Sequence, residues 1–406
     1  MRTIIKLAWR NIWRNKRRTF ITIASVFFAV ILSTMMDSMK QGMYVNMIKT
    51  SVGDFFGYIQ IQNTEYADDK IIDNALELTD EVTASLKANE NVKDYLPRIE
   101  SFALAASEEI TKGTMVVGAD VLKEIEFNNL DERLTKGEFL NPDDKSILIG
   151  EGLADFLKVG VNDTVVLLGS GYHGSSAAGK YPIKGIIAFG SPDLSKRLVM
   201  LPIKEAQWLF GLENQFTSLN IQLKDNKKFK KTATELNASL GKEYKAKNWE
   251  ELLPELRKMI DTDEKEGYVF MFILYLVVSF GIFGTSLMML AERRHEFGVM
   301  ISLGMKKIML AVTVWIEMIA LSLLGAIFGM LGAFPICLYY NINPIKLGGD
   351  MTTMMEEYGM EAVLQFSIDP SVFTKQAMVV FLLASIISIY AFLKILNFNP
   401  IKEMKD

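Results

Sequence analysis

Histidine and cysteine are almost missing from this 406-residue chain, which has 2 histidines and 1 cysteine. With only His173 and His295 to draw on, neither a histidine-based zinc site nor a Ser/His nucleophile pair can be assembled. The lone Cys337 excludes an internal disulfide, so any domain here is held by its own core. The acid pairs Glu108/Glu109, Asp143/Asp144 and Glu356/Glu357 stand in polar loop sequence and read as solvated surface. No catalytic residue, metal ligand or cofactor is therefore expected in this chain, and no nucleic acid as partner.

Charge is absent as well, over four long stretches. Thr19 to Met36 carries none in 18 residues, Gly267 to Ala291 none in 25, Ile308 to Tyr340 only Glu317 in 33, and Gln376 to Leu393 none in 18. At about 1.5 Å rise per residue each can cross roughly 30 Å of hydrocarbon. The expected class is a polytopic α-helical membrane protein, with one span before and three after a polar middle of about 226 residues.

Basic residues orient it, because short Lys/Arg-rich flanks stay cytoplasmic. Arg2, Lys6, Arg10, Arg14, Lys16, Arg17 and Arg18 precede the first span with no acid among them, +7 in a chain of net −4. Arg293, Arg294, Lys306 and Lys307 flank spans two and three, and Lys394, Lys402 and Lys405 follow the fourth. Both termini are then cytoplasmic. The division is a cytoplasmic amphipathic helix (1–18), spans at 19–40, 267–291, 308–340 and 374–396, and an outer α+β domain with helical stalks (41–266). A cytoplasmic link (292–307), an outer loop (341–373) and a tail (397–406) complete it. A cleaved signal peptide is the alternative for span one, but its apolar run exceeds the roughly 7–15 residues of a signal core, and Ser33 to Asp37 lacks a small-x-small cleavage site.

In the outer domain, Met39, Met43, Met47 and Ile48 extend the first helix through Thr50, and Gly53 to Gly57 breaks it. Strands are expected at Tyr58–Gln62, Met115–Val117, Ile147–Ile149, Val165–Leu168, Ile183–Phe189, Leu198–Leu201 and Leu219–Leu223. Helices are expected at Thr79–Ala88, Glu151–Leu157, Lys204–Phe210 and Lys227–Leu240, with a helical stalk from Ala246 to Glu266. Two subdomains are compatible with this alternation.

Gly174 to Lys180 fits the first seven positions of the phosphate-binding loop G-x-x-x-x-G-K-[ST]. Tyr181 replaces the required Ser/Thr, and Pro182 with a strand follows where a helix N-terminus is needed, so nucleotide binding is not expected. The glycine-rich stretch reads instead as an exposed, flexible hairpin or arm unable to pack a core. Either it is a connector or it contacts a partner through Gly171, Tyr172, His173, Gly174 and Gly179. Glu317 costs several kcal/mol in hydrocarbon unless paired or facing water, which leaves helix packing or proton relay open. Gly325, Gly329 and Gly332 favour close helix contact.

After span two, Glu292-Arg293-Arg294-His295-Glu296-Phe297-Gly298 through Gly304 resembles the E-R-x-x-E-x-G-x-x-x-x-x-G signature of FtsX/MacB-type ABC transporter permeases. Leu7-Ala8-Trp9-Arg10-Asn11-Ile12-Trp13-Arg14 and Asn399-Pro400-Ile401 resemble the family's leader and tail, and the one-plus-three layout is similar to it across the chain. Within the family the layout is most similar to lipoprotein-releasing permeases of the LolC/LolE kind. On a helix, Phe297, Met300, Ile301 and Gly304 share one face while Arg293, Glu296 and Lys307 offer charge.

The resemblance implies that Glu292, Arg293, Glu296, Phe297, Gly298, Met300, Ile301 and Gly304 form a coupling helix seated on a cytoplasmic ABC ATPase dimer, where ATP and magnesium reside. It implies a MacB-like outer domain, a second permease subunit of the same or a related kind, residence in a bacterial inner membrane, and lipoprotein cargo passed to a periplasmic carrier. A hook that captures the carrier would correspond to Gly169–Lys180, although that stretch lacks internal proline. The leader reads as an interfacial helix with Ile4, Leu7, Ala8 and Ile12 opposite Arg10, Arg14 and Arg17, anchored in lipid by Trp9 and Trp13. A MacB-like efflux permease, an FtsX-like regulator of cell-wall hydrolases and a membrane-anchored sensory receptor are the alternatives.

Overall fold

Helix α1 (Arg2–Arg14) stops at Asn15, and α2 (Lys16–Ile48) takes over in the computed structural model, which describes residues 2–108, 110–350, 352 and 361–398. Glu109, the pair Glu356/Glu357, the Asn399-Pro400-Ile401 motif and the basic residues Lys402 and Lys405 lie outside the described residues. At Lys49–Phe56 the winding widens to π-helical turns, and Gly57, at φ 77°, ends them.

The elements β1 (Ile59–Asn63), α3 (Thr64–Asp68), β2 (Leu76–Glu77), α4 (Asp80–Ala88), β3 (Val92–Ala106), β4 (Thr111–Ala119), α5 (Val121–Asn128) and β5 (Leu134–Gly137) follow. Next come β6 (Ile147–Gly150), α6 (Glu151–Leu157), β7 (Thr164–Ser170), β8 (Ser176–Ile187), α7 (Pro192–Arg197), β9 (Leu198–Pro202) and α8 (Ile203–Phe210). Then β10 (Gln215–Phe216), β11 (Ser218–Leu223), α9 (Phe229–Ser239), β12 (Tyr244–Asn248) and α10 (Trp249–Leu252) lead to α11 (Pro254–Glu292) and α12 (Arg294–Ser302). After these, α13 (Lys307–Ile342), the short pair β13 (Ile345–Lys346) and β14 (Val363–Leu364), and α14 (Pro370–Leu396) complete the described chain.

Two units are distinguished, one of residues 46–259 with 347–362 and one of residues 1–45, 260–346 and 363–406. The first is the α+β domain. Its ten-stranded sheet runs β12-β1-β11-β3-β4-β9-β6-β8-β5, with β7 bridging β3 and β8. The pairs β4–β9 and β6–β8 are parallel and the remainder antiparallel. Short unbroken apolar runs are what a sheet covered on both faces requires. Val116, Ile147, Ile149 and Val199 enter one core while their neighbours Val117, Leu148 and Met200 enter another on the opposite face. A third core packs β1, β11 and β12 against α4 and α9 through Ile59, Leu219, Val82 and Leu236. Each such side chain contributes about 1.5–3 kcal/mol on burial. One hydrogen-bonded sheet thus carries three separate cores.

One strand was missed and one expectation is corrected. Strand β3, 15 residues long and central to the sheet, escapes sequence reading because Lys93, Asp94, Arg98 and Glu100 interrupt its apolar pattern. Arg98 and Glu100 are nevertheless buried. The stalk read from Ala246 begins instead as β12, which pairs with β1 from Ile59↔Asn248 to Asn63↔Tyr244. Tertiary pairing there overrides helix preference. The Asn248 side chain then caps α10 at the Glu250 N–H, and α11 starts only at Pro254.

Buried Glu100 accepts from Gln60 Nε2 at 3.3 Å and Ser218 Oγ at 3.2 Å. Burial holds its carboxyl above the usual range, against the opposing pull of Arg98 and Lys70. A folded-state pKa above the unfolded one costs stability progressively as pH rises through that window. Glu100→Gln is therefore expected to stabilise the domain by on the order of 1 kcal/mol at pH 8, with the gain fading near pH 4. Thermal unfolding at both pH values checks this.

Among the described residues, four helical segments are long and apolar enough to cross a membrane, each lying mostly in the second unit: Thr19–Gly53, α11, α13 and α14. Helix α13 packs along α14 and α1. A Cβ on Gly325 or Gly329 would lie 2.7 or 2.8 Å from the Cβ of Val26 or Val30 in α2. The glycines therefore permit a closer approach of the helices than any side chain allows.

Candidate functional site

Four alternating charges join α1, α12 and α13 within the membrane unit. Thr19 N–H bonds to the Asn15 carbonyl and the Thr19 hydroxyl to that of Ile12, closing the turn at Asn15. This geometry aims Arg14 at Glu296, whose two oxygens accept from its Nη2. Glu296 also accepts from Arg293 Nε at 3.1 Å. Arg293 Nη1 in turn donates to Glu317 Oε2 at 2.8 Å.

The outer and inner ends of this ladder differ in environment. The Glu296 side chain is 41% exposed, so its pairing with Arg14 is worth roughly 0–1 kcal/mol. Burial pushes its carboxyl up, but the hydrogen bonds from Arg14 and Arg293 outweigh that and hold it below the usual carboxylate range. Arg14 is raised, first by its hydrogen bond to Glu296. Glu317 is 0% and Arg293 4% exposed. Removing both from water is affordable only because each satisfies the other. The Glu317 carboxylate thus ties α13 to the N-cap of α12 through Arg293.

This burial corrects the placement of Arg293, read from sequence as a charge on the helix surface. Its side chain turns inward, with the guanidinium 5.2 Å from the Phe297 ring centroid. The sequence pattern gave no sign of this because its partner Glu317 is 24 residues away. Phe297 and Gly298 are buried, Phe297 edge-to-face with Phe398 at 6.5 Å, and Met300 and Ile301 pack partly against the same core. Gly304, at φ 96°, ends α12 with the Met305 N–H on the Met300 carbonyl and its own N–H on that of Ile301, both at 3.0 Å. That left-handed cap is why a glycine stands there.

The outward ridge of the link comprises Glu292, His295, Val299 and Leu303, Leu303 being 83% exposed. Of these only Glu292 is among the signature residues. His295, Val299 and Leu303 recur every four residues along one side of α12 and its C-cap, a signal present in the sequence but masked by the more apolar Phe297 face, while Glu292 closes α11. Helix α1 divides its apolar residues between two sides. Ala8 and Ile12 are buried in the unit, leaving Leu7 and the edge-to-face pair Trp9–Trp13, each tryptophan 51% exposed, to face outward.

In the α+β domain the glycine-rich arm is a paired hairpin. Strands β7 and β8 pair continuously from Thr164↔Pro182 to Ser170↔Ser176, with Gly179 opposite Leu167. Gly171 and Ala177 are buried, Tyr172 packs partly on the core, and buried Tyr181 donates to Glu205 Oε1 at 3.0 Å. Its small residues pack after all, because a strand's alternate positions face the core whatever their size. At the tip His173, with φ 53°, and Gly174, with φ 71°, make the turn, and the His173 N–H donates to Asp73 Oδ1 at 2.5 Å. The turn is tied down and no helix follows the glycines, so nothing resembles a phosphate cradle. Among the described residues no three His, Cys, Asp or Glu side chains gather as a metal site.

Four long apolar helices with an ion-paired link, joined in sequence to a large sheet domain, define a membrane protein with a sizeable α+β domain outside its spans. Residues 19–239 match the MacB-like periplasmic core domain and residues 268–400 the FtsX-like permease C-terminal family. The chain belongs to the MacB/FtsX family of ABC transporter permeases. It is 22% identical over 260 residues to the "Lipoprotein-releasing system transmembrane protein LolC" of Xylella fastidiosa strain Temecula1, and equally to that of strain 9a5c. Those matches span 61% of this chain and 61% of the relatives' own length. Among solved structures, the extracellular domain of the ABC-type transporter YknZ from Gram-positive bacteria is 15% identical, with TM-score 0.33, covering 47% of this chain and 99% of that one. The periplasmic region of MacB from Actinobacillus actinomycetemcomitans is 12% identical, with TM-score 0.33, covering 51% and 92%.

Proposed function

We propose that this chain transmits the work of a cytoplasmic ABC ATPase dimer to its outer domain in order to extract lipoproteins from a bacterial inner membrane. The ATPase supplies the ATP and magnesium site, and a second permease subunit, the same or related, completes the complex. Mechanical transmission rather than an aqueous tunnel is the mode, with both termini cytoplasmic as the basic flanks favour. The observation that carries this reading is the anchorage of α12. Its N-cap is pinned to the bundle by Arg293–Glu317, while His295, Val299 and Leu303, with Glu292 at the end of α11, stay exposed to meet a partner.

A rigid handle with an exposed ridge is what a coupling element needs, since a loosely held one would absorb the partner's motion. Glu296 and Arg14 extend the handle to α1. The signature residues Phe297, Gly298, Met300 and Ile301 act from beneath, and Gly304 sets the end of the helix. Lipoprotein cargo is favoured by the likeness to the Xylella proteins. The exposed 173–176 tip of the β7–β8 hairpin, held by the His173 N–H on Asp73, is the place where a carrier would be captured.

Val299→Asp combined with Leu303→Asp is expected to reduce binding of the ATPase at least tenfold while the permease still folds, because both side chains point away from the core. Co-purification of the ATPase from solubilised membranes reads this out, and undiminished binding refutes the coupling assignment. Release of radiolabelled lipoprotein from spheroplasts tests the cargo. ATP-dependent drug export without such release favours efflux instead.

A further inference from the structure

The α+β domain grips the π-helical segment Lys49–Phe56 with more polar chemistry than packing demands. Arg98 of β3 donates through Nη1 to the Phe55 carbonyl at 2.5 Å, and Asn220 Nδ2 of β11 donates to the same oxygen at 3.2 Å. Gln60 Nε2 of β1 donates to the Phe56 carbonyl at 2.9 Å. Three neighbouring strands thus satisfy the last carbonyls of one segment. The Arg98 guanidinium also lies 4.6 Å from the Phe55 ring centroid, and Phe55 is itself edge-to-face with Phe189 at 5.7 Å.

Behind the guanidinium stands Glu124 of α5, accepting from Nε at 2.6 Å and Nη2 at 2.9 Å, with Asn128 Nδ2 on its second oxygen at 2.6 Å. Both Arg98 and Glu124 are 0% exposed. A buried ion pair is a poor source of stability compared with apolar side chains of the same volume, whereas its directional bonds hold one geometry. The π-helix is rare and, where it interrupts α-helices, is frequently found at functional sites.

We propose that Arg98 is a positioning residue that locks the 49–56 segment to β3, so that displacement arriving along the first membrane helix moves the sheet instead of rewinding the segment. Clamped by Arg98, Asn220 and Gln60, the segment keeps its register, and Glu124 keeps the guanidinium from following it. The transmission half of this inference rests on the function proposed above, while the lock itself does not.

Hydrogen–deuterium exchange on the full-length protein in lipid nanodiscs separates the two. The pair Arg98→Met/Glu124→Leu removes both charges together and preserves volume, so the domain is expected to stay folded. Amides of residues 50–57 should then exchange at least tenfold faster while β4 and β9 are unchanged. Phe55→Leu, which keeps the apolar fill but removes the ring beneath the guanidinium, should accelerate them about threefold and serves if the double variant does not accumulate. Unchanged exchange at 50–57 in a folded variant overturns the lock. In the complex with the ATPase, adding ATP should alter exchange along residues 92–106 in the wild type and not in the variant. A loosened variant that keeps this ATP response overturns transmission, whereas a wild type without any response refutes the coupling function instead.

Discussion

Glu317→Leu is expected to destabilise the membrane unit by about 3 kcal/mol, the lower end of the 3–5 typical when one partner of a buried ion pair is removed. The cost arises because Arg293, 4% exposed, loses the carboxylate at 2.8 Å and cannot regain water. It falls at the lower end because Glu296 remains 3.1 Å from Arg293 Nε. Adding Arg293→Met should recover most of the loss, since two apolar side chains then fill the space of the pair. Thermal unfolding in detergent of the two single variants and the double variant gives the coupling between the sites directly. A Glu317→Leu protein as stable as wild type would mean that the pair contributes nothing. If the double variant is stable yet no longer couples ATP hydrolysis to cargo, the pair is there for the geometry of α12.

The second large effect concerns the contact between α2 and α13. Gly329→Val is expected to cost about 3 kcal/mol, the upper end of what overpacking usually costs. Even the first carbon added meets Val30 Cβ at 2.8 Å and the Phe27 carbonyl oxygen at 3.0 Å, and the latter is backbone that no rotamer change can move. The exchange Gly329→Val/Val30→Gly moves the notch to the other helix and should regain part of the loss, less about 1 kcal/mol for a glycine inside α2. Guanidine-free measures such as the midpoint of thermal aggregation suit a membrane protein, and no difference between Gly329→Val and wild type would show that the helices are free to separate.

How much was legible follows from how local each signal is. The four spans and the α+β character of the domain could be read because an uncharged run or a short apolar strand declares itself within a few residues. The strands at Ile147–Gly150 and Leu198–Pro202 are examples. Helix α6, Glu151–Leu157, matches its sequence expectation residue for residue. Strand β3 was illegible because its meaning lies in partners elsewhere, Glu124 for Arg98 and Ser218 for Glu100. Strand β12 was illegible for the same reason, its sequence favouring helix until β1 pairs with it.

At the candidate site the signature glycines and charges could be named from sequence, but not their sides. An arginine next to a membrane span reads as a surface charge. Arg14 and Arg294 are exposed, while Arg293, adjoining Arg294, is buried. What separates Arg293 from Arg294 is the position of Glu317 on another helix.

From sequence alone came four helices long and apolar enough to span a membrane, because a helix satisfies its own backbone in hydrocarbon and that constraint acts on contiguous residues, while the permease family was carried by the resemblance of Glu292 to Gly304. Only the tertiary structure decided which charges are interior. Arg98, Glu124, Arg293 and Glu317 can leave water solely where a partner from a distant segment replaces its hydrogen bonds, and that pairing exists only once the chain has folded.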